Sequence, residues 1–149
     1  MKKVPGRKTD LSDAEWLADV AAHGMVRPSF VPPVAIRELR ELTRYRKTQI
    51  DARVAEIQRL EKVLQDAGIK LTSVASKVLT QSGRTMIEAL VAGERDPAAL
   101  AGLAKGKMRP KIPALTEALT GHFGSHHAVA CRRILAHLDF LDRCTHRAD

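Results

Sequence analysis

From Val34 to Ala67 the chain contains neither glycine nor proline. As a helix, about 34 residues would span on the order of 50 Å. That exceeds an ordinary globular helix and suggests a coiled coil or helical hairpin. Gly68 stands where a helix-closing glycine belongs. Ile50, Val54, Ile57 and Leu64 fall at the d-a-d-d spacing of a heptad, with Glu61 interrupting one a position. Leu60 and Val63 thicken the stripe. The first half differs. Arg37, Arg40, Arg44 and Lys47 recur at +3, +4 and +3, so they share one face. Arg46 and Arg53 flank it. Two readings stay open: a solvated face with Glu38 and Glu41 as ion-pair partners, or a row of phosphate contacts.

Charge bears on that choice. Lys and Arg number 25 against 17 Asp and Glu, a net +8 on 149 residues. Such an excess favours a polyanionic partner without choosing among DNA, RNA and an acidic surface. Aromatics are 3% of the chain, so phosphate contact is a more natural binding mode than base stacking. Cys131 and Cys144 lie in one predicted helix, almost four turns or about 20 Å apart, too far for a disulfide within it. No apolar run approaches a membrane span. The basic start lacks the apolar stretch of a signal peptide. A soluble cytoplasmic protein with reduced thiols is expected.

The remaining elements are shorter. A first helix is expected from about Ser12 to His23, with Ser12 and Glu15 as a capping box and Gly24 at its end. Ala14, Leu17, Ala18, Ala21 and Ala22 supply its apolar face, and Trp16 and Leu17 read as core residues. A proline-rich connector follows to Pro33, anchored by Val26, Phe30 and Val31. Thr72 or Ser73 can cap a helix to about Gln81, and Ser82 the next, to Ala92. Asp96-Pro97 opens a short helix through Ala104. Further helices run from about Ile112 to Thr120 and from Ser125 to about Thr145. The helices around Gly83 superficially suit a helix-turn-helix, but Arg84 to Ala92 offers one Arg to read bases. Lys105, Lys107, Arg109 and Lys111 alternate along a loop that is either a nucleic-acid contact or a soluble linker.

Two clusters invite metal chemistry. Asp10 and Asp13 stand one turn apart behind Arg7 and Lys8. They can hold a divalent metal over a phosphate, or simply favour a helix N-terminus. His127 and Cys131 are four residues apart and can share a zinc, with His122 and His126 nearby. Neutral surface histidines near a helix start are the other account. No Gly-rich phosphate loop or nucleophilic triad is present.

The residues together resemble a known family. Gly6-Arg-Lys-Thr-Asp10-Leu-Ser-Asp13-Ala-Glu-Trp-Leu-Ala18 is similar to the last acidic motif of the DEDD transposases of the insertion-sequence one-hundred-and-ten family. The likeness continues through His23 to Pro33, Ile36 to Lys47, Arg59 to Leu71 and Gly93 to Pro97. It implies a RuvC-like catalytic domain in which Asp10 and Asp13 join an upstream Asp and Glu around Mg²⁺. It also implies a helical, coiled-coil spacer and a C-terminal domain with a nucleophilic serine. Its partners would be DNA, a structured guide RNA and further copies of the protein. Since the sequence starts just before that motif and stops before the serine domain, it is expected to be a transposase truncated at both ends.

The expected fold is therefore all-α: the last helix of a RuvC-like domain and its connector (1–33), a long basic helix or coiled coil (34–68), and a helical bundle (69–149). The expected function is nucleic-acid binding and self-association, with catalysis lost for want of two acidic ligands and the serine. Asp10 and Asp13 are the catalytic and metal-ligand candidates. Lys8, Arg37, Arg40, Arg44, Lys47, Lys105, Lys107, Arg109 and Lys111 are the nucleic-acid candidates. The rivals are a stand-alone helical dimerisation module and a helix-turn-helix regulator.

Overall fold

A computed structural model describes residues 10–27 and 29–146, the last by its backbone alone. Among them the fold is all-α: α1 (Asp10–Ala22), α2 (Val34–Asp66), α3 (Gln81–Ala92), α4 (Pro97–Gly102), α5 (Ile112–Ala118) and α6 (Ser125–His146). Short 3-10 turns cover Leu71–Ser73 and Gly106–Lys111. No described helix is long and apolar enough to cross a membrane. The chain divides into two compact units, residues 1–39 and 40–149.

In the first unit, Ser12 lies within α1, so the chain is already helical where the sequence placed the cap. Gly24 closes the helix as expected: its N–H donates to Ala21 O while Met25 N–H reaches Val20 O. No residue of α1 is buried. Trp16 is 64% exposed and Leu17 56%, so neither is a core residue within this chain's described part. The anchors assigned to the connector, Val26, Phe30 and Val31, are exposed too. Their apolar area is left open because none of the first unit's described residues is buried against it.

The second unit has a continuous core. Leu60 and Leu64 of α2 meet Met86, Ile87 and Leu90 of α3, Leu100 of α4, Leu115 of α5 and Leu138 of α6. Ile57 and Val63 pack against it partly buried. The lower part of the α2 stripe thus buries against its own chain, while Ile50 and Val54 remain 41% and 48% exposed. α2 ends where the sequence places its end. Gly68 has φ +79°, a conformation that L side chains rarely adopt. Its N–H donates to Gln65 O at 2.9 Å, and Ile69 N–H to Leu64 O at 2.8 Å, the paired bonds of a Schellman motif.

Between α2 and α3 the expected helix to Gln81 does not form. The 3-10 turn Leu71–Ser73 gives way to bends that bury Ala75 and Val78, and Lys111 Nζ donates to Val74 O. The helix-turn-helix reading therefore lacks its first helix. Thr80, not Ser82, caps α3: its Oγ1 accepts the Gly83 N–H at 3.1 Å. Ser82 is buried and its hydroxyl accepts the Lys105 N–H. At α4 the Asp96 carboxylate caps the N–H groups of Ala98 and Ala99, as its sequence predicts. α6 is held to α2 by Arg53–Asp142, Glu56–His137 and Asp66–His127. It is held to α3 by Arg84–Asp139.

Candidate nucleic-acid interface and acidic pair

Asp10 and Asp13 occupy the first turn of α1, one turn apart on one face, and both are exposed. Carboxylate oxygens suit Mg²⁺ in kind, but such ions take near-octahedral oxygen coordination. Among the described residues no third ligand side chain gathers with this pair; the group of three that does assemble is Asp66, His126 and His127. Asp10 and Asp13 by themselves supply too few ligands to fit the ion. Lys8 lies outside the described residues.

The basic face of α2 is open to solvent at Arg37 in the first unit and at Arg40, Arg44 and Lys47 in the second. At about 100° per residue, Arg44 stands about 160° around the helix from Leu60. Leu60 is fully buried, so the stripe points away from the core. Glu38 and Glu41 form no ion pair with Arg37, Arg40 or Arg44 among the described residues. Lys47 alone of the four is paired, its Nζ donating to Asp51 Oδ2 at 2.6 Å. Both partners are exposed, and such pairs contribute little. Three exposed guanidinium groups remain available to a polyanion.

The second basic segment is not an extended loop. Gly106–Lys111 winds as a 3-10 helix, with about three residues per turn. Side chains two residues apart then splay around the axis instead of sharing a side. Lys105, Lys107, Arg109 and Lys111 are exposed, and Lys111 is engaged with Val74 O.

The histidine cluster has a different explanation from zinc. Cys131 is fully buried, and burial pushes its thiol up to about 11. It stands outside the group of potential metal-ligating side chains that gathers among the described residues, Asp66, His126 and His127. Gly124 O accepts the Ala128 N–H, so Gly124 is the N-cap of α6. Gly124 N–H donates to His127 Nδ1 at 3.0 Å. This is the reciprocal half of a capping box, with His at the third helical position in place of Glu. An accepting Nδ1 leaves the proton on Nε2, which donates to Asp66 Oδ2 at 2.9 Å. A metal on Nε2 would need that proton moved to the nitrogen Gly124 occupies. Both nitrogens are committed to joining α2 to α6. Nothing local marks Asp66 as the partner, since it lies 61 residues away in sequence.

Residues 1–69 match the family model of the DEDD transposases of the IS110 group, described as a transposase. The match includes Asp10, Asp13 and the whole of α2. No curated protein and no solved structure matches the chain.

Proposed function

We propose, on the premise that residues 1–69 carry the DEDD transposase sequence, that this chain is a nucleic-acid-binding and self-associating part of such a transposase. Asp10 and Asp13 are its contribution to a Mg²⁺-binding four-carboxylate site in a RuvC-like domain. The family match supports that assignment, and their shared face at the start of α1 is compatible with it. Exposed Leu11, Trp16 and Leu17 give α1 the apolar surface of a helix that packs in a larger layer.

The observation that carries the binding role is the basic face of α2. Arg40 and Arg44 are exposed, free of ion pairs with described residues and turned away from Leu60. Phosphate neutralisation by such groups makes affinity fall with salt, by about 0.9 log units per log unit of salt for each contact. The loop cations Lys105, Lys107 and Arg109 add a further basic surface. DNA and a structured guide RNA are the partners this reading assigns.

Changing Arg40, Arg44 and Lys47 together to Ala weakens binding of DNA and RNA and flattens its salt dependence. Unchanged affinity and slope refute the assignment. Self-association rests on Ile50 and Val54, apolar and exposed at heptad spacing on α2. Light scattering of the wild type against Ile50→Glu tests it; a monomer at all concentrations in the wild type excludes it.

A further inference from the structure

We infer that the outer face of α6 around Phe140 binds an unpaired stretch of RNA, with the Phe140 ring as the stacking surface and Arg59 and Arg133 on its phosphates. The inference rests on the nucleic-acid reading of the chain and adds a site apart from the Arg40–Lys47 stripe. Aromatics are few in this sequence, so what matters is where one stands. Phe140 is 51% exposed. Its ring pairs with that of His137 at 6.3 Å between centroids and 23° between planes. His137 is held in turn, its Nδ1 reaching Glu56 Oε1 at 3.1 Å across the α2–α6 seam. A ring that is held in place yet half open loses little freedom when a base stacks on it.

Cations flank the rings. Arg59 binds the same oxygen, Glu56 Oε1, that His137 reaches, so its guanidinium stands beside the imidazole. It is 65% exposed and has further N–H donors to offer. Arg133 precedes His137 by four residues and Phe140 by seven, which puts it on their face of α6, about 10 Å from Phe140 along the axis. Arg133 is exposed and forms no ion pair with described residues. Acid does not intrude. The two carboxylates of α6, Asp139 and Asp142, are taken up by Arg84 and Arg53 of other helices. Glu56 is 6% exposed and enclosed by Arg59 and His137.

A ring and two cations on one face suit a strand whose bases are turned outward. A duplex keeps its bases inside, whereas structured RNA presents loops and bulges whose unpaired bases stack on aromatic side chains. His137 favours RNA over a DNA strand as well. With Nδ1 donating to Glu56, Nε2 of the neutral ring is an acceptor, and no described residue donates to it. The ribose 2′-OH is a donor that DNA lacks.

Fluorescence anisotropy with the full chain tests this. The ligands are an unstructured RNA strand of about 12 nucleotides, its fully paired RNA duplex and a DNA strand of the same sequence. Phe140→Leu, apolar but without a ring, should weaken binding of the RNA strand about 5- to 100-fold and leave the duplex unchanged. Phe140→Trp should keep the wild-type affinity, and its indole emission should fall as the strand is added. Arg133→Ala should lower the salt slope on the strand by about 0.7. The DNA strand should bind more weakly than the RNA strand, and His137→Phe should erase that difference. An unchanged affinity in Phe140→Leu, or an equal loss on the duplex, overturns the inference. Equal binding of the RNA and DNA strands by the wild type overturns the choice of RNA. If Phe140→Leu has no effect while Arg40→Ala/Arg44→Ala weakens duplex binding, the proposed function stands without this site. If the chain binds none of the three ligands, both fall.

Discussion

Glu56 of α2 and His137 of α6 meet at 3.1 Å, and ten residues onward on α2 and ten back on α6, Asp66 meets His127 at 2.9 Å. The equal steps fix an antiparallel register between the two helices. Each pair sets a carboxylate against an imidazole at the edge of an apolar core. Glu56 is 6% exposed and is also bound by Arg59, so its charge is enclosed by two partners.

The core and the seam separate in their effects on stability. Leu60→Ala empties a fully buried site and should destabilise by about 2–5 kcal/mol. His127→Ala removes the Gly124 cap and the Asp66 bond, with an expected loss of about 1–2 kcal/mol. Urea unfolding by circular dichroism checks both. A His127→Ala loss as large as that of Leu60→Ala would contradict the capping role.

The α3–α6 clamp yields only to strong acid. The hydrogen bond from Arg84 holds the Asp139 carboxyl below its usual range, against the opposing pull of burial. A lowered folded value means the stabilisation is complete above the unfolded value, about 3.9, and is lost as pH falls through the folded one. Asp139→Asn should therefore be less stable than wild type at neutral pH. The gap should close as the pH drops below the ordinary carboxylate range. Parallel unfolding curves at neutral and strongly acid pH measure this; a gap independent of pH would show that the carboxylate charge is irrelevant.

Thiol chemistry distinguishes the two cysteines. Cys131 is fully buried with its thiol pushed up to about 11, whereas Cys144 is half-buried. A thiol-specific chromophore at mildly alkaline pH should label Cys144 in the native protein and both residues in denaturant. Fast native labelling of Cys131 would show that the α6 core opens readily.

The purified 149-residue chain with Mg²⁺ or Mn²⁺ should leave DNA uncut, because Asp10 and Asp13 supply too few oxygens to hold the ion over a phosphate. Cleavage by this preparation that disappears in Asp10→Ala or Asp13→Ala would overturn that expectation.

Local signals were legible in the sequence where backbone chemistry is local. The Gly/Pro-free run, Gly68, Gly24 and Asp96 place the ends of α2, α1 and α4, because caps act through neighbours a few residues away. The start of α3 was not, since Thr80 and Ser82 are both competent caps. A tertiary bond from Lys105 N–H takes the Ser82 hydroxyl. The same holds at the candidate sites. Spacing identifies the α2 stripe because a helix preserves it. Spacing fails for Lys105 to Lys111, where the winding is 3-10. It also fails for Asp66 with His127, which different helices bring together.

One joint has a mechanical meaning. A Cβ on Gly121 would sit 2.3 Å from Ala67 O, the oxygen that accepts the His122 N–H at 2.7 Å. Main chain bears directly on main chain there, with no side chain between to act as a cushion. Packed protein transmits strain instead of absorbing it. Even a methyl group at position 121 would have to wedge the end of α2 away from the segment that leads into α6.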